Sequence, residues 1–118
     1  MKNLKTFFFL LIIFITNAVF ALGDKISPKQ IEDFYSDSNT RLAVLSYFSG
    51  LGSGIAWSNT MIQEKMFCPP SDLSFVGEDY YSIYKAEYLR EKKTYDNMDY
   101  QPPGIILLRG LQYNFPCD

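Results

Sequence analysis

The sequence predicts an all-α protein, a small single-domain bundle of about four helices closed by one disulfide. Apolar residues recur at intervals of three and four along most of the chain, which is the spacing of one helix face. Cap residues and prolines divide this pattern into separate helices. The alternating apolar stretches are too short to predict strands.

The first half of the chain predicts two helices. Ser27 is the N-cap of a helix that begins at Pro28 and runs to about Tyr35, with Gln30 completing a capping box. A longer helix is predicted from about Thr40 to Lys65. Its apolar stripe consists of Val44, Phe48, Leu51, Ile55 and Ile62.

Three glycines interrupt this second helix. Gly50 and Gly54 share a face with Ala43, so a neighbouring helix is expected to approach closely there or the helix to kink. A phosphate-binding Gly-x-Gly-x-Gly loop would need a preceding strand, and its P-loop form a Gly-Lys-Ser/Thr ending. Neither is present, so close packing is the better interpretation.

The second half predicts a third and a fourth helix. Pro69 and Pro70 end the second helix, and the third is expected from near Ser74 to about Lys92. Its predicted core side carries Phe75, Ala86 and Leu89. Residues 92–101 have no period and predict a loop. Pro103 then begins a last helix with a core stripe of Leu107, Leu108, Leu111 and Phe115.

Another side of the third helix carries Tyr80, Tyr84 and Tyr88, four residues apart. These tyrosines either cover the edge of the core with their hydroxyls in water or form a protein-binding face. Both interpretations stay open at this point.

The N-terminus has the features of a secretory signal peptide. Lys2 and Lys5 precede an unbroken apolar run over residues 7–15, and Val19 and Ala21 suit the −3 and −1 positions of a cleavage site. The run is roughly half of the about 20 residues that span a bilayer, which disfavours an uncleaved anchor. We therefore expect residues 1–21 to be removed and residues 22–118 to reach the periplasm as one domain.

The composition argues against several function classes. Loss of the two signal-peptide lysines changes the formal charge from −2 to −4, and an acidic surface repels nucleic acid. The chain has no His, so the usual general base and the commonest metal ligand are missing. Its paired carboxylates are interpreted as solvated surface charge. We expect no enzyme activity, no metal and no cofactor.

Cys68 and Cys117 are the two cysteines of the chain. An exported protein meets an oxidising compartment, so a structural disulfide between them is predicted. It would close a loop of about 50 residues, which the chain-entropy relation values at roughly 4 kcal/mol. A nucleophilic role for either thiol would need an activating base, and no His supplies it.

Five short elements, in order and at similar spacing, resemble the Rap/Tai-type immunity proteins. They are Tyr47-Phe48-Ser49-Gly50 in the long helix, Phe67-Cys68-Pro69-Pro70 after it, Tyr88-Leu89 in the third helix, Pro103 with Leu107 and Leu111, and the ending Phe115-Pro116-Cys117. The chain lacks a further Cys pair found in many relatives. Arg90-Glu91-Lys92-Lys93 also replaces a frequent His-Pro.

The resemblance implies an inhibitor, often homodimeric, that binds a peptidoglycan amidase delivered by type VI secretion and plugs its active-site cleft. Two alternatives remain open: a periplasmic acid-stress chaperone of the HdeA type, and a periplasmic adaptor with no toxin partner.

A plug needs a protruding segment on a rigid base, and the loop before the last helix is the candidate. Tyr95, Met98 and Tyr100 are expected to be buried by the partner, with Asp96, Asn97 and Asp99 bonding its polar groups. The face of Tyr80, Tyr84 and Tyr88 would be a secondary contact or a dimer surface. The alternative for the loop is an ordinary solvated turn.

Overall fold

The structure is a computed structural model that describes residues 26–118, so the predicted signal peptide lies outside the described residues. The described part contains four helices, one 3-10 turn and no strand, which confirms the all-α prediction. In chain order the elements are α1 Pro28–Ser36, α2 Arg41–Met61, α3 Gly77–Lys92, the 3-10 turn Met98–Tyr100 and α4 Pro103–Asn114. The α3 helix packs on both α2 and α4. No helix within residues 26–118 has the length and hydropathy needed to cross a membrane.

The start of α1 follows the predicted capping box. The Ser27 hydroxyl accepts from the Gln30 backbone N–H at 3.3 Å, and the Gln30 side chain accepts from the Ser27 N–H at 2.9 Å. A turn centred on Asp37 then leads into α2, with the Asp37 carboxylate accepting from the Asn39 N–H at 2.8 Å. Local side-chain bonds of this kind satisfy backbone groups that a helix end leaves unpaired.

The α2 helix ends at Met61, four residues before the predicted Lys65. The buried Asn59 side chain donates to the Phe67 carbonyl and accepts from the Met66 N–H, both at 2.7 Å, and so folds the chain back. The Lys65 ammonium donates to the carbonyls of Thr60 and Ile62 at 2.8 and 2.9 Å. Lys65 therefore caps the helix from outside instead of extending it.

The α3 helix begins at Gly77 rather than near Ser74. The Asp79 carboxylate accepts from the Val76 N–H at 2.8 Å, which caps this end. Gly77 lies against the backbone of Leu45 in α2, and a side chain at this position would overlap the Leu45 carbonyl. The two helices can come this close because position 77 has no Cβ.

The glycine that packs inside α2 is Gly52, since the ring of Tyr80 lies where its Cβ would be. Gly50 and Gly54, which the sequence predicted as the close contact, have no described atom of another element within 4 Å of an added Cβ. The prediction that another helix of the chain packs closely on these two glycines is therefore wrong, because both lie on the side of α2 that faces away from the core.

The core differs from the prediction mainly on α3. Phe48, Ile106, Leu107 and Leu111 are fully buried, and Phe115 packs against them. The predicted core residues Ala86 and Leu89 are exposed, with Leu89 at 48%. The buried side of α3 is formed instead by its four tyrosines, Tyr80, Tyr81, Tyr84 and Tyr88.

The predicted disulfide between Cys68 and Cys117 is confirmed. It joins the segment after α2 to the chain end after α4, and the Cys68 N–H donates to the Phe115 carbonyl beside it at 2.8 Å. The Phe75 and Phe115 rings, 5.4 Å apart, pack edge to face in the same region. Covalent, backbone and aromatic contacts thus hold α4 against the rest of the bundle.

Gly52→Ala and Gly54→Ala make a matched pair of substitutions in one helix. Gly54→Ala is expected to leave the free energy of unfolding unchanged or to raise it by up to about 1 kcal/mol, because alanine favours helix. Gly52→Ala is expected to lower it by about 1–3 kcal/mol, because its methyl overlaps the Tyr80 ring. Urea denaturation measures both, and equal effects would contradict the packing described here.

Replacing both cysteines by serine is expected to lower the free energy of unfolding by about 2–5 kcal/mol. The bridge closes 49 residues of chain, so its loss gives the unfolded state more conformational freedom. Urea denaturation of the oxidised protein and of the double variant measures the difference. Two free thiols in natively purified protein would show that the bridge does not form.

Candidate functional site: the aromatic loop

Residues 93–102, here called the aromatic loop, connect α3 to α4. The N–H groups of Thr94 and Tyr95 both donate to the Glu91 carbonyl at 2.9 Å, so the loop leaves α3 in a tight turn. At the other end Pro102 precedes α4, and its carbonyl accepts from the Ile105 N–H at 3.0 Å. The two ends are therefore fixed by helices on either side.

Met98 anchors the middle of the loop. Its side chain is 1% exposed and belongs to the core cluster, and the 3-10 turn around it packs against α1 and α3. The prediction that Met98 contacts a partner is therefore wrong. A flexible unbranched side chain fills an irregular gap well, and here that gap lies inside the bundle.

Asp99 is the second anchor. Its carboxylate accepts a hydrogen bond from the Tyr88 hydroxyl, and the Lys92 ammonium donates to that same hydroxyl at 2.8 Å while lying 3.5 Å from the carboxylate. The bond from Tyr88, assisted by Lys92, lowers the pKa of Asp99 below its ordinary value. Burial, then the bond to Asp99, raises the pKa of Tyr88. Asp99 thus has bonding partners within its own chain, but its side chain is 44% exposed, and its role as a partner contact stays a prediction.

The remaining predicted contacts face solvent. Tyr95 is 55% exposed and Tyr100 is 88% exposed, while Asp96 and Asn97 between them are exposed as well. Two aromatic side chains and two short polar side chains are thus exposed on a loop that Met98 and Asp99 attach to the bundle. Such a surface suits protein docking, because little conformational entropy is left to lose on binding.

The predicted secondary face on α3 needs correction. Tyr80, Tyr84 and Tyr88 are 4%, 3% and 7% exposed, so they do not present their rings to a partner. Burial raises the pKa of Tyr84, whose hydroxyl has no hydrogen-bond partner among the described residues. The rings pack on α2 because Gly52 leaves room for Tyr80 and because Phe48 contacts the rings of Tyr81 and Tyr84.

The buried acidic residues of α3 are paired with arginines. Glu87, 2% exposed, accepts two hydrogen bonds from Arg90. Glu91 accepts from Arg109 of α4 at 3.0 Å. These pairs neutralise carboxylates between α3 and α4, and they favour a structural role over an acid–base role for both.

A second open surface, which the sequence patterns above did not predict, lies on α2. Trp57 and Met61 are 69% and 72% exposed. No charged residue occurs between Arg41 and Glu64, which is unusual for a helix with a solvent-facing side. This run of uncharged residues was a signal that the sequence alone contained.

Comparison of the chain with protein families, with curated proteins and with solved structures gave no match. The aromatic loop is therefore identified by its geometry alone.

Asp99→Asn is expected to make the stability of the protein depend less on pH in the acidic range. Because its pKa is lowered in the folded protein, ionised Asp99 contributes stability above the ordinary carboxyl pKa. That contribution is lost as the pH falls below it. The free energy of unfolding, measured between about pH 5 and about pH 2, should fall less with decreasing pH in Asp99→Asn than in the parent.

Hydrogen exchange gives the local readout of the same variant. The N–H groups of Tyr100 and Gln101, bonded within the 3-10 turn, should exchange faster in Asp99→Asn. Asp96→Asn is the matched control, since Asp96 is an exposed acid of the same loop. Identical behaviour of the two variants would show that the Tyr88–Asp99 bond does not hold the loop.

Proposed function

We propose that this chain is an exported immunity protein that binds a peptidoglycan amidase delivered by type VI secretion and inhibits it by inserting the aromatic loop into its active-site cleft. The observation that carries the proposal is that different residues of the loop attach it to the bundle and face the solvent. Met98 is buried in the core and Asp99 is bonded to Tyr88, while Tyr95 and Tyr100 are exposed. The family resemblance of the sequence supplies the class of partner.

The position of the loop supports insertion into a cleft. It joins two helices that are fastened to the bundle, one by its buried tyrosines and the other by the Cys68–Cys117 bridge next to its end. A partner that binds the loop therefore meets a preformed shape, which reduces the ordering cost of about 0.5–1.5 kcal/mol per immobilised side chain.

The chemistry of the outward surface also suits a polar cleft. Tyrosine is among the residues that most often carry binding energy, because it combines a large ring with a hydroxyl that can hydrogen-bond. Asp96 and Asn97 lie between the two tyrosines in the sequence and are exposed, so their side chains are accessible to polar groups of the partner. Without residues 1–21 the formal charge is −4, and such an acidic chain favours association with a basic rim on the partner.

The direct test mixes purified residues 22–118 with peptidoglycan amidases of the type VI secretion class and measures peptidoglycan cleavage. Inhibition at one inhibitor chain per amidase is expected. Protection of living cells should require residues 1–21, because the amidase acts outside the cytoplasm. Full amidase activity in excess inhibitor would contradict the proposal. If the same protein then prevented client aggregation at low pH, it would favour the chaperone alternative.

Tyr95→Ala and Tyr100→Ala are each expected to weaken amidase binding by about 2 kcal/mol, or roughly 30-fold. The thermal midpoint should hardly change, since both rings are largely exposed. Isothermal calorimetry with the amidase measures the affinity.

Tyr113→Ala is the matched control for these variants, because Tyr113 is also an exposed tyrosine, at 64%, but belongs to α4, where its ring packs on Arg90 of α3. Unchanged affinity in the double variant Tyr95→Ala/Tyr100→Ala, with inhibition intact, would place the binding site on another surface.

A further inference from the structure

A groove of about 380 Å³ lies between the second half of α2 and the segment that follows it. This volume falls within the about 300–1,000 Å³ that is typical of small-molecule sites. One wall is a flank of α2, where Ser53, Ala56, Trp57 and Thr60 recur at the spacing of one helix face. The opposite wall comes from residues 69–75. This cavity is called the Trp57 groove below.

The floor of the Trp57 groove is aromatic and fixed. Phe67 and Tyr80 line it and are 2% and 4% exposed. The half-buried ring of Phe75 packs on the Tyr80 ring, with centroids 5.3 Å apart. The disulfide of Cys68, next to Phe67, ties this segment to the chain end. A ligand therefore meets a preformed surface, which keeps the entropy cost of binding low.

The lining of the Trp57 groove has no charged side chain. A charged ligand that leaves water needs a counter-charge, so nucleotides and free amino acids do not suit this site. A wholly apolar ligand also fits poorly, because it would cover the hydroxyl groups of Ser53, Thr60 and Ser74 without bonding them. The matching chemistry is a neutral ligand with one apolar face and a polar edge.

Trp57 supplies a stacking surface for the apolar face of such a ligand. It is 69% exposed, although it is the largest apolar side chain of the helix. The face of an indole ring is electrically negative, whereas the C–H bonds on one face of a sugar ring carry small positive charges. A sugar stacked on Trp57 thus gains electrostatic contact and removes apolar area from water.

The hydroxyl groups of the lining suit the polar edge of a sugar. Ser53 and Ser74 are exposed at the rim. The Thr60 hydroxyl donates to the Trp57 carbonyl at 2.7 Å, which leaves its oxygen able to accept. A protein hydroxyl offers one donor and two acceptor positions, and each sugar hydroxyl has the same capacity, so the two can bond in either direction.

We propose that the Trp57 groove binds a neutral oligosaccharide, with one sugar ring stacked on Trp57 and its hydroxyl groups bonded to Ser53, Thr60 and Ser74. Two sources share this chemistry: cell-wall glycan, which contains N-acetylglucosamine rings, and free glucose oligosaccharides. Bound to cell-wall glycan, the protein would be held at the substrate of the amidase. That choice of source rests on the proposed function, whereas the groove chemistry does not.

Tryptophan fluorescence tests binding directly, because Trp57 is the only tryptophan of the chain. The purified protein is titrated with triacetylchitotriose and, separately, with maltotriose. A saturable shift of the emission to shorter wavelength is expected, since a stacked sugar excludes water from the indole. A shift with triacetylchitotriose alone assigns cell-wall glycan, and a shift with maltotriose assigns glucose oligosaccharides. Glycerol, which has hydroxyl groups but no ring, is the control and should cause no saturable shift.

Substitutions at Trp57 test the stacking, with calorimetry as the measurement. Trp57→Ala should weaken sugar binding about 10-fold or more, because it removes the ring contact, whereas Trp57→Phe keeps a ring and should retain most of the affinity. Met61→Ala is the matched control, since Met61 is a large side chain of the same helix, 72% exposed, outside the groove lining.

The double variant Ser53→Ala/Ser74→Ala tests the hydroxyl groups. It should weaken binding about 10-fold, because two hydrogen bonds are lost. Ser58→Ala is its control, since Ser58 is an exposed serine of α2 outside the lining. Circular dichroism should show the same helix content in all these variants, because the changed side chains are exposed.

Three results would overturn the proposal. They are the absence of a shift with both sugars, an equal shift with glycerol, and the same loss of affinity in Met61→Ala as in Trp57→Ala. The Trp57 groove contains no residue of the aromatic loop, so Trp57→Ala should still inhibit the amidase. Sugar binding and amidase inhibition can therefore fail separately.

Discussion

The bundle is built on the tyrosine side of α3, whose rings pack on α2 over Phe48 and Gly52. Each buried aromatic side chain removes about 150–250 Å² from water, which at about 25 cal/mol per Å² is roughly 4–6 kcal/mol of transfer free energy as an upper estimate. The Tyr84 hydroxyl is left without a partner among the described residues, and an unpaired group of this kind costs about 1–3 kcal/mol. Burial of the ring outweighs that cost.

The hydroxyl ends of the tyrosines then connect the other elements to α3. The Tyr35 ring stacks on Tyr81 with centroids 3.8 Å apart, while its hydroxyl bonds to Glu78 and accepts from Arg41 at 2.7 Å. This pair brings α1 onto α3. The Tyr88 hydroxyl bonds to Asp99 and brings in the aromatic loop. Tyr35 and Tyr88 therefore do what aliphatic residues cannot, because their rings pack in the bundle while their hydroxyls bond to neighbouring elements.

Much of the fold could be predicted from local signals. The capping box at Ser27, the prolines between helices and the two lone cysteines each have a short-range physical meaning, and the elements that they predict are present. Helix ends were less predictable. The end of α2 depends on Asn59 binding the chain at Met66 and Phe67, a contact that spacing along one helix does not reveal.

Hydropathy along the sequence also did not predict which side of α3 faces the core. Tyrosine counts as partly polar, so Leu89 was favoured for the core over Tyr80, Tyr84 and Tyr88. Which side of α3 is buried depends on α2. Because Gly52 has no side chain, the Tyr80 ring can occupy the position where a Cβ of residue 52 would lie. The same limit applied to the loop: its composition indicated a site, but which side chains point inward depended on the gap that Met98 fills.

The loop's buried and exposed residues have separate physical roles, and this separation is what makes the site recognisable. Met98 and Asp99 have contacts inside the molecule that account for their presence. Tyr95 and Tyr100 have large exposed rings, for which folding alone gives no reason. The α2 helix presents the same contrast, with a side buried in the core and an opposite side on which Trp57 and Met61 are exposed. In both places the residues that folding does not explain lie on a rigid base, and the two surfaces have no residue in common.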